Sequence, residues 1–247
     1  MEPAGAIRYD AMRRKSLIRT CLLLGGLTLL ASCPPPVSFE EQRERMVSEQ
    51  IQSRGVTDER VLSVMLEIPR HLFVPGAERE AAYADRPLSI GHGQTISQPY
   101  VVALMTDLAR PLPGDRALEV GTGSGYQAAI LSRLVKEVYT IEIVPELGAE
   151  AARRLKDLGY ANVQVRVGDG YRGWPEASPF DVILVTAAPE EVPEPLLDQL
   201  KPGGRLVIPV GPTGAVQSLQ LVSKDLDGRL QARHVLPVRF VPFTRSP

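Results

Sequence analysis

The chain has 247 residues, 44% of them hydrophobic and 23% charged, the balance of a soluble globular protein with room for a sizeable core. A net charge of −1 offers no basic face of the kind nucleic acid demands, and three scattered histidines (His71, His92, His234) leave little from which to build a metal site. Both cysteines, Cys21 and Cys33, fall before residue 34, so the rest of the chain holds no disulfide, no thiol nucleophile and no zinc-binding cysteine cluster.

Residues 1–37 read as a leader and spacer. Arg13-Arg14-Lys15 is a basic segment, and Cys21 to Ala31 is an apolar run too short to span a bilayer as a helix. The run ends in Leu30-Ala31-Ser32-Cys33, which resembles a bacterial lipoprotein signal with Cys33 as the lipidated residue. The alternative is a start codon assigned too early, with the protein beginning near Met46. Pro34-Pro35-Pro36 forms a stiff extended spacer.

Residues 38–113 read as a helical region. Ser38-Phe39-Glu40-Glu41 has capping-box form and predicts a helix from Phe39 to about Arg54, stopped by Gly55. A second helix is expected from Asp58 to about Ile68, with Val61, Leu62, Met65 and Ile68 on one face and Pro69 ending it. Residues 88–97 are small and polar with no strand period, and a helix follows from about Gln98 to Arg110. From Asp115 the pattern alternates: strands at 115–120, 138–143, 162–167, 181–186 and 205–210 are separated by helices at 124–135, 145–158 and 192–200. Continuously apolar strands alternating with helices mark a mostly parallel sheet covered on both faces. After Gly211 the rhythm changes to strands alone, at 217–223 and about 230–241, which predicts an antiparallel edge. The chain divides on this reading into 1–37, a domain at 38–247, and within it 38–113, a cofactor core at 114–211 and C-terminal strands at 212–247.

Glu119-Val120-Gly121-Thr122-Gly123-Ser124-Gly125 joins a strand to a helix. Alternate glycines let the backbone lie against a ligand, and the helix N-terminus turns its N–H groups toward it. A dinucleotide loop needs glycine where Tyr126 stands, which argues against an NAD-type dehydrogenase. An acidic residue followed by three alternate glycines instead resembles the first motif of class I methyltransferases that use S-adenosylmethionine (SAM). The other strand ends agree, because ligands of open α/β sheets bind beyond the carboxyl ends of the strands. Glu142 is placed to accept the ribose hydroxyls, Asp169 between Gly168 and Gly170 to contact adenine, and Thr186-Ala187-Ala188 leaves room for a reacting group. Lys201-Pro202-Gly203-Gly204 reads as a turn before the next strand.

Upstream, Ile68-Pro69-Arg70-His71-Leu72-Phe73-Val74-Pro75 and Gly91-His92-Gly93-Gln94-Thr95-Ile96-Ser97-Gln98-Pro99-Tyr100, together with the glycine loop, Gly168-Asp169-Gly170, Gly173-Trp174 and Pro179-Phe180-Asp181, resemble the protein-L-isoaspartate O-methyltransferase family. The resemblance covers about 43–211 closely and 212–247 more loosely. It implies a Rossmann-like class I methyltransferase fold with a seven-stranded sheet, SAM as cofactor with S-adenosyl-L-homocysteine as product, and no metal. The implied acceptor is the α-carboxylate of L-isoaspartyl residues in damaged proteins and peptides.

The family's active-site serine matches Ser97, whose hydroxyl would orient the attacking carboxylate; capping the helix at Gln98 is its alternative role. Thr95, Ile96, Ser97, Glu119, Gly121, Thr122, Gly123, Ser124, Glu142, Asp169 and Gly170 are the expected cofactor residues. Ser97, Thr186, Ala187 and Thr244 are the expected acceptor-side residues. His71 matches a family position without choosing between function and structure, while Trp174 and Asp181 read as packing and strand-start residues. A cytoplasmic monomer is expected, with a lipoprotein anchored at Cys33 as the alternative. A non-catalytic SAM-binding module is the remaining rival reading.

Overall fold

The computed structural model describes residues 37–245, and the leader with Cys33 lies outside them. Residues Val37–Pro247 form one compact unit. The capping box closes as its sequence requires: the Ser38 hydroxyl accepts the Glu41 N–H at 3.2 Å and the Ser38 N–H donates to the Glu41 carboxylate at 3.0 Å. Helix α1 (Phe39–Arg45) continues through a π-helical stretch, Met46–Ile51, and a 3₁₀ turn, Gln52–Arg54, ending at left-handed Gly55. The single predicted helix is therefore one helical run of three pitches. In α2 (Glu59–Glu67), Asp58 caps the N-terminus by accepting the Arg60 N–H, and Val61, Leu62, Val64 and Met65 are buried. Ile68 turns extended ahead of Pro69, as steric pressure from a following proline demands.

Residues 88–97 are not the loop their composition suggests. They form a hairpin, β1 (Leu88–Gly91) paired antiparallel with β2 (Gln94–Ile96). The reversal needs three successive positive-φ residues, Gly91, His92 and Gly93, and two of the three are glycine, which reaches that region at little cost. Leu88 and Ile90 point inward, but two inward positions are too few for a legible period. The hairpin delivers the chain to α3 (Pro99–Ala109), which carries Pro99 in its first turn.

The core follows: β3 (Arg116–Val120), α4 (Tyr126–Ser132), β4 (Glu137–Glu142), α5 (Pro145–Asp157), β5 (Val163–Val167), β6 (Phe180–Val185), α6 (Glu194–Gln199), β7 (Leu200–Val210), β8 (Gln217–Lys224) and β9 (Leu230–Val238). The seven strands order as β5-β4-β3-β6-β7-β8-β9, parallel from β5 to β7 and antiparallel at β8 and β9. Central strands are apolar throughout because both faces are covered: Val182, Ile183, Leu184 and Val185 are each at most 1% exposed, worth about 1.5–3 kcal/mol apiece. One face packs on α2, α3 and α4, and the other holds Leu118, Ile141, Ile183, Leu196 and Leu206. Lys201-Pro202-Gly203-Gly204, expected as a turn, lies within β7, where the pairing with β6 shifts register.

The chain winds outward from β3 to β5 and then returns to β6 on the other side of β3. A crevice opens where the winding reverses, at the carboxyl ends of β3 and β6.

Candidate active site

The glycine loop occupies that crevice. Its N–H groups at Gly121 and Thr122 are taken by the Ile141 carbonyl, and that of Gly123 by the Glu142 carboxylate at 2.7 Å. The loop therefore does not hold out a row of free donors, as its sequence suggested. What glycine supplies is close approach: at Gly121, with φ +100°, a Cβ would collide with the Thr186 hydroxyl. That hydroxyl donates to the Gly121 carbonyl at 2.7 Å, so the end of β6 braces the loop that follows β3.

Glu142, at the end of β4, is buried and accepts one backbone N–H on each oxygen, from Gly123 and from Val144. Each oxygen keeps a lone pair, so the carboxylate can still take ligand hydroxyls. Glu119 is fully buried beneath the loop. One of its oxygens accepts the Thr140 hydroxyl at 2.6 Å, Thr140 in turn contacts the Thr122 hydroxyl at 2.6 Å, and Glu119 Oε1 has no partner. Burial pushes its carboxyl up to about 8, with a further push from the charge of Glu142. A cavity of about 30 Å³ lies beside it, lined also by Thr95, Ile96, Ser97, Thr122, Ser124 and Gln127.

A first cleft, over the glycine loop, is lined by Gln94, Thr95, Gly121, Gly123, Glu142, Gly170, Thr186, Ala187 and Thr244, among others. Asp169 does not line it: its side chain accepts the Tyr171 N–H in a local turn and lies 3.4 Å from the Arg245 guanidinium. The outer wall is the C-terminal segment, where Val241 and Phe243 bond to either side of Ala188 and Arg245 lies 3.7 Å above the Tyr171 ring.

A second cleft of about 530 Å³ adjoins the first, and Thr95, Thr186 and Val241 line both. Ser97, Gln98, Tyr100, Val216, Phe240 and the two cations Arg54 and Arg239 also line it. Gln98, not Ser97, occupies the cap position of α3, and no side chain caps that helix. The Ser97 hydroxyl makes no hydrogen bond among the described residues, while its carbonyl accepts from Arg70 at 2.7 Å. The sequence thus brings together Thr95, Ser97, Gly121, Gly123, Glu142, Gly170, Thr186, Ala187 and Thr244 around two connected clefts, with Ile96, Glu119, Thr122 and Ser124 behind them.

His71 lies apart from both clefts. It stacks on Phe39 at 4.2 Å and shares a hydrogen bond with the Tyr83 hydroxyl, and burial with nearby Arg43 and Arg79 holds its pKa below the usual range. Trp174 packs edge-on against Tyr139, and Asp181, at the start of β6, accepts the Arg116 N–H. Two residues given no role from sequence, Arg54 and Arg70, belong to the site. Arg70 stood unremarked within a quoted segment, and Arg54 stacks 3.4 Å over Tyr100 while pairing with Asp85. Among the described residues no group of His, Cys, Asp or Glu is placed to hold a metal ion, and no helix is long and apolar enough to cross a membrane.

A parallel sheet with its glycine loop after the first central strand, an acidic end on the next, and an antiparallel edge defines a class I SAM-dependent methyltransferase fold. The family model for protein-L-isoaspartate(D-aspartate) O-methyltransferase matches residues 41–246. A protein-L-isoaspartate O-methyltransferase 2 of Polaromonas sp. is 62% identical over 187 residues, covering 76% of this chain and 89% of its own length. The Opitutus terrae protein-L-isoaspartate O-methyltransferase is 59% identical over 205 residues, 83% of this chain and 88% of its own. A solved protein-L-isoaspartate O-methyltransferase is similar with a TM-score of 0.74 and 36% identity, over 81% of this chain and 65% of that one. A Plasmodium falciparum structure described as a member of the same family, in complex with S-adenosyl-L-homocysteine, gives a TM-score of 0.72 at 27% identity, over 83% and 99%. The chain belongs to the protein-L-isoaspartate(D-aspartate) O-methyltransferase family.

Proposed function

We propose that this chain is a protein-repair methyltransferase that moves a methyl group from SAM to the α-carboxylate of L-isoaspartyl residues in damaged proteins and peptides, with Ser97 orienting the acceptor. The observation that carries the reading is the junction of the two clefts: Thr95 and Thr186 line both, and Ser97 faces the larger with an uncommitted hydroxyl.

The residues of the smaller cleft and of the small cavity beside Glu119 suit SAM. Glu119 leaves one buried oxygen unpaired beside the loop, a natural partner for a cationic group. Glu142 keeps acceptor capacity for hydroxyls, and Gly121 and Gly170 leave space that a Cβ would fill with clashes against Thr186 and Val120. When bound, SAM supplies a methyl group already activated by a sulfonium. The acceptor carboxylate is ionised at neutral pH, so the protein need not abstract a proton. What remains is alignment, where intramolecular-type positioning contributes on the order of 7–11 kcal/mol. Ser97 and Thr95 hold the acceptor side, and the braced loop holds the cofactor side. Arg239 gives the larger cleft the positive charge that an acidic peptide group favours, while Arg54 is already paired with Asp85. The reading carries with it a monomeric enzyme of the cytosol, where SAM is made, acting on protein rather than nucleic acid.

The test is transfer of labelled methyl from SAM to an isoaspartyl peptide and to its normal aspartyl twin. Selective, base-labile labelling of the first is expected. Equal labelling of both, or of neither, refutes the specificity. Ser97→Ala should lower kcat about 10–100-fold, the value of one hydrogen bond to a charged group, with SAM affinity unchanged.

A further inference from the structure

Arg70 is a fully buried cation that lines neither cleft. It opens a short 3₁₀ turn (Arg70–Phe73) directly after Pro69, and its side chain is completely buried. No carboxylate pairs with it among the described residues. Instead its Nε–H donates to the Ala82 carbonyl at 2.7 Å, one Nη2–H donates to the Ser97 carbonyl at 2.7 Å, and Nη1 has no partner. The guanidinium lies 4.9 Å from the centre of the Tyr126 ring. Burial draws its pKa down to about 10, which still leaves it charged at neutral pH. Removing an ion from water without a counter-ion costs several kcal/mol, and an apolar side chain of similar size would fill the space without that cost. Stability alone does not account for a cation here.

Its contacts suggest what does. Ser97 is the last residue before the cap of α3, and the carbonyl that Arg70 holds belongs to the peptide plane between Ser97 and Gln98. Fixing that plane fixes the direction in which the Ser97 side chain leaves the backbone. Tyr126, on the other side of the guanidinium, is the first residue of α4 and follows directly on the glycine loop. One buried cation therefore touches both the acceptor-side segment and the helix that carries the cofactor loop. A charge-assisted bond to a backbone carbonyl is stiffer than a neutral one, and in-line transfer tolerates little displacement between its two halves.

We infer that Arg70 is a positioning residue for methyl transfer, setting the Ser97 hydroxyl in register with the cofactor loop through its bond to the Ser97 carbonyl. The inference rests on the assignment of Ser97 as the group that orients the acceptor.

Steady-state kinetics on an isoaspartyl peptide test it, with Arg70→Met and Arg70→Lys each made alone and in the Ser97→Ala background, alongside SAM titrations and melting curves. Alone, Arg70→Met should lower kcat about tenfold to a hundredfold, the scale of a misplacement near 1 Å, while the SAM dissociation constant stays within about threefold. In the Ser97→Ala background the same change should lower kcat by less than about twofold, because the group it positions is gone. Arg70→Lys keeps the charge but loses the forked donor, and should fall between wild type and Arg70→Met. Should Arg70→Met not fold, the Lys variant carries the same comparison. Multiplicative losses from Arg70 and Ser97 changes, or a lowered melting temperature with kcat intact, overturn the inference and leave Ser97 standing. A Ser97→Ala enzyme with undiminished kcat overturns the Ser97 assignment, and the inference with it.

Discussion

Replacing Glu119 by glutamine should abolish a pH dependence of SAM binding that the wild-type site builds in. The Glu119 carboxyl is buried beneath the glycine loop, has one partner in the Thr140 hydroxyl, and titrates near 8 instead of its ordinary 4.5. Without cofactor it is therefore protonated over most of the neutral range. A cationic ligand that favours the ionised form binds with a dissociation constant multiplied by one plus ten to the power (pKa − pH). With the pKa at about 8, affinity should weaken roughly a hundredfold from pH 9 to pH 6, and binding near pH 6.5 should release close to one proton. Glutamine keeps the shape and still accepts from Thr140, but cannot ionise. The ligand's own titration is common to both proteins and cancels in the ratio of their dissociation constants, read by titration calorimetry in buffers of differing ionisation heat. Folding provides an independent check. A carboxyl whose folded pKa is raised stabilises the protein fully below its unfolded value, near 4.5, and loses that contribution as pH rises through about 8. The cofactor-free wild type should thus melt lower at pH 9 than at pH 6, and Glu119→Gln should not share that fall. A wild-type affinity that is flat with pH, or identical slopes in the two proteins, would refute the reasoning.

Two substitutions probe the brace on the loop. Thr186→Val removes the hydroxyl that donates to the Gly121 carbonyl, costing about 1 kcal/mol; SAM titration should show roughly fivefold weaker binding and the melting temperature should fall. Gly121→Ala forces a side chain into a positive-φ position and onto the Thr186 hydroxyl, costing on the order of 1–3 kcal/mol with SAM binding weakened more than about tenfold. Gly159→Ala has positive φ but open space around it, so it should lose a little stability, about 1 kcal/mol, with SAM affinity unchanged. Equal effects of the two alanines on SAM binding would show that the contact with Thr186 is irrelevant.

The parallel core was legible because its strands are buried on both faces and read as unbroken apolar runs, as in Val182-Ile183-Leu184-Val185. Caps were legible for the same local reason: Ser38 with Glu41, and Asp58, bond within four residues of themselves. The hairpin at 88–96 was not, since three- and four-residue strands give no period and the Gly91-His92-Gly93 reversal becomes meaningful only once strands flank it. The site divides along the same line. Residue types at strand ends pointed to Gly121, Glu142 and Thr186, while Ser97 was reached only through the family resemblance. Their working relationships stayed hidden because they join distant positions: Thr186 to Gly121 across 65 residues, Arg70 to Ser97 across 27. Glu119 was read as a cofactor residue from its motif, but its unpaired oxygen is a property of burial, which no short motif encodes.

Those long-range contacts share one target. Thr186 holds the carbonyl of Gly121, Glu142 holds the N–H of Gly123, Arg154 donates to the carbonyl of Ser124 at 2.9 Å, and Thr140 links Thr122 to Glu119. Every residue from Gly121 to Ser124 is tied by a side chain from another element. A reaction that needed a strong base would have to spend part of this architecture on shifting a pKa near the acceptor. Methyl transfer to an already ionised carboxylate does not, and a loop with its backbone fixed from β4, α5 and β6 meets the demand that remains, which is to keep the methyl donor still while the acceptor is brought into line. The same logic fits the Ser97 hydroxyl, uncommitted among the described residues and proposed to orient the acceptor, on a backbone clamped by a buried arginine: rigidity belongs in the support, and freedom in the group proposed to meet the substrate.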